Sequence, residues 1–186
     1  MHPALIYAPG HRLSLTELSA ARLDGHVVEV GEAYMPADTV EGADARASSV
    51  AHLLSAGSAL CGPSAAWIHG AGDRPPVRHH LRRCGAKGPR PRPGDRVIVH
   101  EPGFADADVL DLDGVPVGTR EATAIELALA AHRDAESEHW LKGLLLVSPG
   151  LASRTAEVIS ARGRVPGKRH AMLLLGELAA QEVVTR

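Results

Sequence analysis

The alternation of apolar and polar positions gives its first clear signal at Leu13-Ser14-Leu15-Thr16-Glu17-Leu18. Ser14 and Glu17 have the S-x-x-E spacing of a capping box, in which each side chain takes the other residue's backbone N–H, and Leu13 and Leu18 are placed to staple the same end. A helix is expected from about Leu15 to Asp24-Gly25, because glycine readily takes the left-handed conformation that closes a helix. Val27, Val28 and Val30 then read as a strand and Gly31-Glu32 as a Gly-X hairpin turn. Ala33-Tyr34-Met35 reads as the return strand, closed by Pro36.

Farther along, residues 43–54 form an amphipathic pattern with Ala47, Val50, Ala51 and Leu54 on one face. Gly57 breaks it, Ser58-Ala59-Leu60-Cys61 reads as a short buried strand, and a short helix follows with Ser64 as its cap and Gly70 as its stop. Strands are expected at residues 77–84 and 96–101, around a loop at 85–94 whose Pro89, Pro91 and Pro93 exclude regular structure. Residues 109–112 and 115–117 flank an Asp113-Gly114 turn. Thr119 caps a helix through Ala131 with Ala122, Ile125 and Leu129 on its buried face. Three more helices are expected at residues 138–147, 152–162 and 168–183, separated by Pro149-Gly150 and residues 163–167. Strands gathered in the middle and helices at the end predict an α+β fold. The expected divisions are a small truncated winged-helix-like head at residues 1–40 and a body at 41–186 with a mixed β middle and a helical C-terminal tail.

Composition changes this picture in two places. Of the 186 residues, 45% are hydrophobic but only 3% aromatic, so the core must be built from Ala, Leu and Val. The longest apolar runs, Leu144-Leu145-Leu146-Val147 and Met172-Leu173-Leu174-Leu175, fall far short of the roughly 20 residues that span a bilayer. The N-terminus lacks the pattern of a signal peptide. A cytoplasmic location is therefore expected, with Cys61 and Cys84 as free thiols. The net charge of -2 conceals a strong asymmetry. Arg74, Arg78, Arg82, Arg83, Lys87, Arg90, Arg92 and Arg96 crowd residues 74–96 against Asp95 alone. Arg162, Arg164, Lys168 and Arg169 form a second basic stretch. Such clustering suits a polyanionic partner; a solvated loop accounts for the first stretch equally well.

Motifs for chemistry are absent. His69, His79, His80 and Cys84 match no zinc spacing, and there is no Walker loop, dinucleotide fingerprint or nucleophile elbow. Cys61 lies in an apolar run and reads as core. Asp106, Asp108, Asp111 and Asp113 alternate with apolar residues as on the wet face of a strand, and carboxylates alone do not make a two-metal site. No cofactor, metal or catalytic residue is expected, and the chain reads as a binding protein rather than an enzyme.

Three blocks together resemble a known family. They are the Leu15-Thr16-Glu17-Leu18 helix with the hairpin Val27 to Pro36, Gly62-Pro63-Ser64-Ala65-Ala66-Trp67-Ile68-His69-Gly70, and Gly114-Val115-Pro116-Val117-Gly118-Thr119-Arg120-Glu121-Ala122-Thr123-Ala124-Ile125-Glu126. In these the chain resembles the AbiEi-type antitoxins and transcriptional regulators of type IV toxin–antitoxin systems, in their actinobacterial form. Val165-Pro166-Gly167-Lys168-Arg169 is similar to the basic turn before that family's last helix. The front of the winged helix is shortened. The family's usual Arg-Thr pair is Ala122-Thr123 here, its Asp is Glu126, and no C-terminal endonuclease domain is expected.

The resemblance implies a repressor of its own operon that binds double-stranded DNA and counters a nucleotidyltransferase-like toxin. Thr16, Ser19 and Arg22 on the reading helix and His26 at the wing are the residues carried over, with Arg12 reaching a phosphate. Arg74, Arg78, Arg82, Arg83, Lys87, Arg90 and Arg92 are expected to neutralise further phosphates. The alternative is an interaction module that binds a toxin or another acidic partner without DNA.

Overall fold

Ser14 starts the first helix through the two bonds its spacing predicts. Its hydroxyl accepts the Glu17 N–H at 3.3 Å, and the Glu17 carboxylate accepts the Ser14 N–H at 2.8 Å. The helix that follows, α1 (Leu15–Leu23), fully buries only Leu18. That side chain packs with Val27 and Tyr34, and with the partly buried Tyr7, Leu13 and Ala21. Strands β1 (Val27–Val30) and β2 (Ala33–Pro36) form an antiparallel hairpin with Val30 opposite Ala33. The computed structural model describes residues 5–10, 12–84 and 94–184.

The hairpin turn packs onto α2 (Ala43–Val50) and α3 (Gly62–Ile68). Gly31 has φ +53°, and a Cβ at this position would lie 2.8 Å from the Trp67 ring and closer still to the Ser49 hydroxyl. Only glycine permits that approach.

A five-stranded mixed sheet occupies the middle of the chain. Its strands are β3 (Ser58–Leu60), β4 (His79–Cys84), β5 (Val97–Phe104), β6 (Val109–Leu112) and β7 (Val115–Gly118), in the order β5-β4-β3-β7-β6. β4 runs antiparallel to β3 and parallel to β5, and β7 runs parallel to β3 and antiparallel to β6. Helices α4 (Arg120–Ala130), α5 (Ala135–Leu146), α6 (Leu151–Ala161) and α7 (Lys168–Val184) complete the described chain. Leu60, Leu81, Val97 and Val117 from the sheet join Trp67, Ile125, Leu141, Leu151 and Leu175 from the helices in one hydrophobic core. The α+β class expected from the order of elements is the class observed.

Of the differences from expectation, three have a clear local cause. α2 ends at Val50 and continues as a 3-10 turn over Ala51–Leu53. There the Ser49 hydroxyl donates to the Arg46 carbonyl, the back-bonding that weakens serine inside a helix. α5 starts at Ala135 because the Asp134 carboxylate caps it, accepting the N–H groups of Glu136 at 3.1 Å and Ser137 at 3.2 Å. Ser64 is not a cap. It lies inside α3, fully buried, and its hydroxyl accepts the His80 N–H at 2.9 Å.

Candidate functional site

The outer face of α1 is open. Thr16 and Arg22 are exposed, Ser19 is half-buried, and their i, i+3 spacing sets them along one side of the helix. Arg12 and His26 are exposed nearby in sequence. Arg22 Nε lies 3.1 Å from Glu29 Oε1 across the start of the hairpin, a pair more than half exposed on both sides.

The far end of the hairpin does not project as a free wing. Glu32, at its turn, pairs with Arg96 and holds Oε1 3.5 Å from His79 Nε2. Together with the Gly31 approach to Trp67, this clamps the tip to the body.

The basic segment also departs from a simple phosphate-binding loop. Arg74 is exposed, as is Arg78, whose guanidinium donates to the carbonyls of Gly94 and Val97 at 3.2 Å each. Arg82 turns inward. Its Nη2 lies 2.6 Å from Glu126 Oε1, with the two side chains 16% and 15% exposed, and its guanidinium sits 5.1 Å from the Phe104 ring centroid. Arg83 is half-buried with Nη2 3.9 Å from Glu101. Arg82 and Arg83 belong to a strand inside the sheet, and Arg82 is engaged by Glu126 rather than standing free on the surface. Lys87, Arg90 and Arg92 lie outside the described residues.

Strand alternation explains where Arg82 goes. Successive side chains on a strand point to opposite faces. Leu81 joins the main core, while His80 and Arg82 face a cleft of about 650 Å³. The parallel register sets His100 of β5 beside Arg82, and His100 Nε2 lies 2.9 Å from His80 Nδ1 with the two rings stacked. Glu126, from α4, completes the floor. One carboxylate oxygen meets Arg82, and the other accepts the Gly62 N–H at 3.1 Å. Cys61 is fully buried behind this pair, and burial together with the Glu126 charge pushes its thiol well up. Burial, helped by the neighbouring His100, brings His80 down to about 4, and burial also lowers His100. Phe104, Ile125, Leu129, Val165 and Pro166 supply apolar walls, and His132, Arg133 and Arg162 also line the cleft.

His79, on the other face of β4, is also brought down to about 4, chiefly by burial. His69 fixes its ring by an Nε2 contact of 2.7 Å with the Gly118 carbonyl. Among the described residues no three His, Cys, Asp or Glu side chains converge as a metal-binding group. Likewise, no helix among them is long and apolar enough to cross a membrane.

Sequence reasoning missed His100, Glu126 and Arg133 as members of one cleft. A usable signal was present in β4, where polar His80 and Arg82 flank the apolar Leu81. On a central strand, such alternation marks a polar face that needs partners within the fold.

From β3 to α7 the chain is an antitoxin-type domain: residues 58–174 match the family model described as the AbiEi antitoxin C-terminal domain. The chain belongs to the AbiEi antitoxin family, as three sequence blocks had suggested. No curated protein matches it. Among solved structures, the RV2827C protein from Mycobacterium tuberculosis is similar at 22% sequence identity and a TM-score of 0.44, over 90% of this chain. The chain spans 64% of the length of that structure.

Proposed function

We propose that this antitoxin-family protein is a DNA-binding transcriptional regulator that represses its own operon, reading duplex DNA with the outer face of α1. The observation that carries this reading is the exposure of Thr16 and Arg22 on a capped helix that buries only Leu18. An Arg–Glu pair as exposed as Arg22–Glu29 is worth about 1 kcal/mol or less. Arg22 can therefore exchange Glu29 for a base edge or a phosphate at small cost. Arg12, Ser19 and His26 lie close enough in sequence to extend the contact, and Arg74 and Arg78 add positive charge.

The test is a competition binding assay with operator and scrambled duplexes. Arg22→Ala should lower operator affinity by about 1–3 kcal/mol and narrow the gap to scrambled DNA. Equal loss on both duplexes would remove the base-reading role. Wild-type affinity that stays constant from low to moderate salt would remove phosphate contacts altogether.

A second reading rests on the helical tail. A groove between α5, α6 and α7 is lined by Leu145, Leu146, Pro149, Ala152, Leu174 and Leu178, and Leu146 is 83% exposed. It suits a protein partner such as the nucleotidyltransferase-like toxin that the family resemblance implies. Co-purification of that toxin without any DNA shift would favour this interaction module over the repressor.

A further inference from the structure

The cleft beside β4 is not used by either reading, and its chemistry is specific. We infer that it is a binding site for a mononucleotide, with the base against Glu126, His80 and His100 and the phosphate at Arg133 and Arg162.

The floor offers both donors and acceptors without net charge. Arg82 and Glu126 neutralise each other at 2.6 Å. A carboxylate has about four lone-pair sites. Glu126 directs one bond to each oxygen, from Arg82 and from Gly62, and retains capacity for an exocyclic amine. The His80–His100 pair uses one nitrogen from each ring on the other, leaving His80 Nε2 and His100 Nδ1 as the remaining ring nitrogens. Burial favours the neutral form of both imidazoles, so the pair leaves one donor and one acceptor between its two remaining nitrogens rather than two donors. Apolar lining comes from Phe104, Ile125 and Pro166.

Elsewhere the lining holds Arg133 and Arg162 as well as the carboxylates of Glu101, Asp108 and Asp134. Both arginines are exposed, and among the described residues neither guanidinium forms an ion pair. Asp134, the acid next to Arg133, is engaged in capping α5. Guanidinium groups match phosphate oxygens in planar, two-pronged geometry. At about 650 Å³ the cleft falls in the range of sites that enclose a small organic ligand. A hydrogen-bonding floor with an apolar wall and two exposed arginines at the rim fits a nucleotide better than free phosphate, which needs no wall.

The experiment is isothermal titration of the full chain, without DNA, using AMP, adenosine, ribose 5-phosphate and inorganic phosphate. AMP is expected to bind at least tenfold more tightly than each of the other three. The double variant Arg133→Ala, Arg162→Ala should weaken AMP at least tenfold while leaving adenosine unchanged. Its thermal midpoint should match the wild type, because both side chains are exposed. The absence of AMP binding overturns the inference. So does ribose 5-phosphate binding as well as AMP, or a double variant that binds AMP normally. DNA is not in the titration, so the result stands or falls apart from the DNA reading.

Discussion

At the scale of single residues, the buried histidines make stability depend on pH. His79 and His80 titrate at about 4 in the fold, against an ordinary value of about 6.5 in the unfolded chain. Below pH 6.5 the unfolded chain takes up protons that the folded chain refuses. Stability is therefore fully present above pH 6.5 and is lost as pH falls toward 4, at about 1.4 kcal/mol per pH unit for each histidine. Thermal melts at pH 7.5 and pH 5.0 should show a clearly lower midpoint at pH 5.0. His80→Gln should reduce the difference, and equal midpoints for the wild type would contradict burial of the neutral rings. Arg82 carries a second prediction. Arg82→Ala leaves Glu126 largely buried without its cation and should destabilise the fold by about 3 kcal/mol, measured by urea unfolding. DNA affinity should remain near wild type wherever the variant is folded, the opposite of what a phosphate contact would give.

At the scale of elements, α1 depends on its cap more than on its packing. Ser14→Ala removes the capping box and should cost about 1 kcal/mol. The loss should appear as faster amide exchange concentrated in residues 15–23, because only Leu18 and the partly buried Ala21 tie the helix to the small cluster around Val27 and Tyr34. Exchange that quickens throughout the body would contradict this. The same locality explains what the sequence made legible. The α1 cap, the Gly31 hairpin, the Asp113-Gly114 turn and the Thr119 cap are each written within a few neighbouring residues, and each stands where expected. The cleft depends on partners far apart in the chain: Arg82 meets Glu126 across 44 positions and Gly62 meets it across 64. Charge counting placed Arg82 on a basic surface because it treats an arginine on a central strand and one on a loop alike. Ser64 misled for a related reason, since its hydroxyl serves His80, 16 residues away, rather than its own helix.

At the scale of the whole molecule, the hairpin joins the body at its turn and through Val30 and Met35, which pack against Ala45 of α2. The tip approaches Trp67 and Ser49, and Glu32 reaches Arg96 and His79. Calorimetry should therefore show one unfolding transition in which the β1–β2 amides are protected together with those of the sheet. A separate early transition for the hairpin would refute that coupling. Gly31→Ala, which forces a methyl group toward Trp67, should lower stability by about 1–3 kcal/mol and loosen both parts together.

The indole of Trp67 thus acts as the seat of a lever whose other end is α1. Repacking around that seat would tilt the helix without altering any residue on its outer face. On the proposed DNA reading, binding preference would then respond to interior substitutions that a comparison restricted to surface positions overlooks.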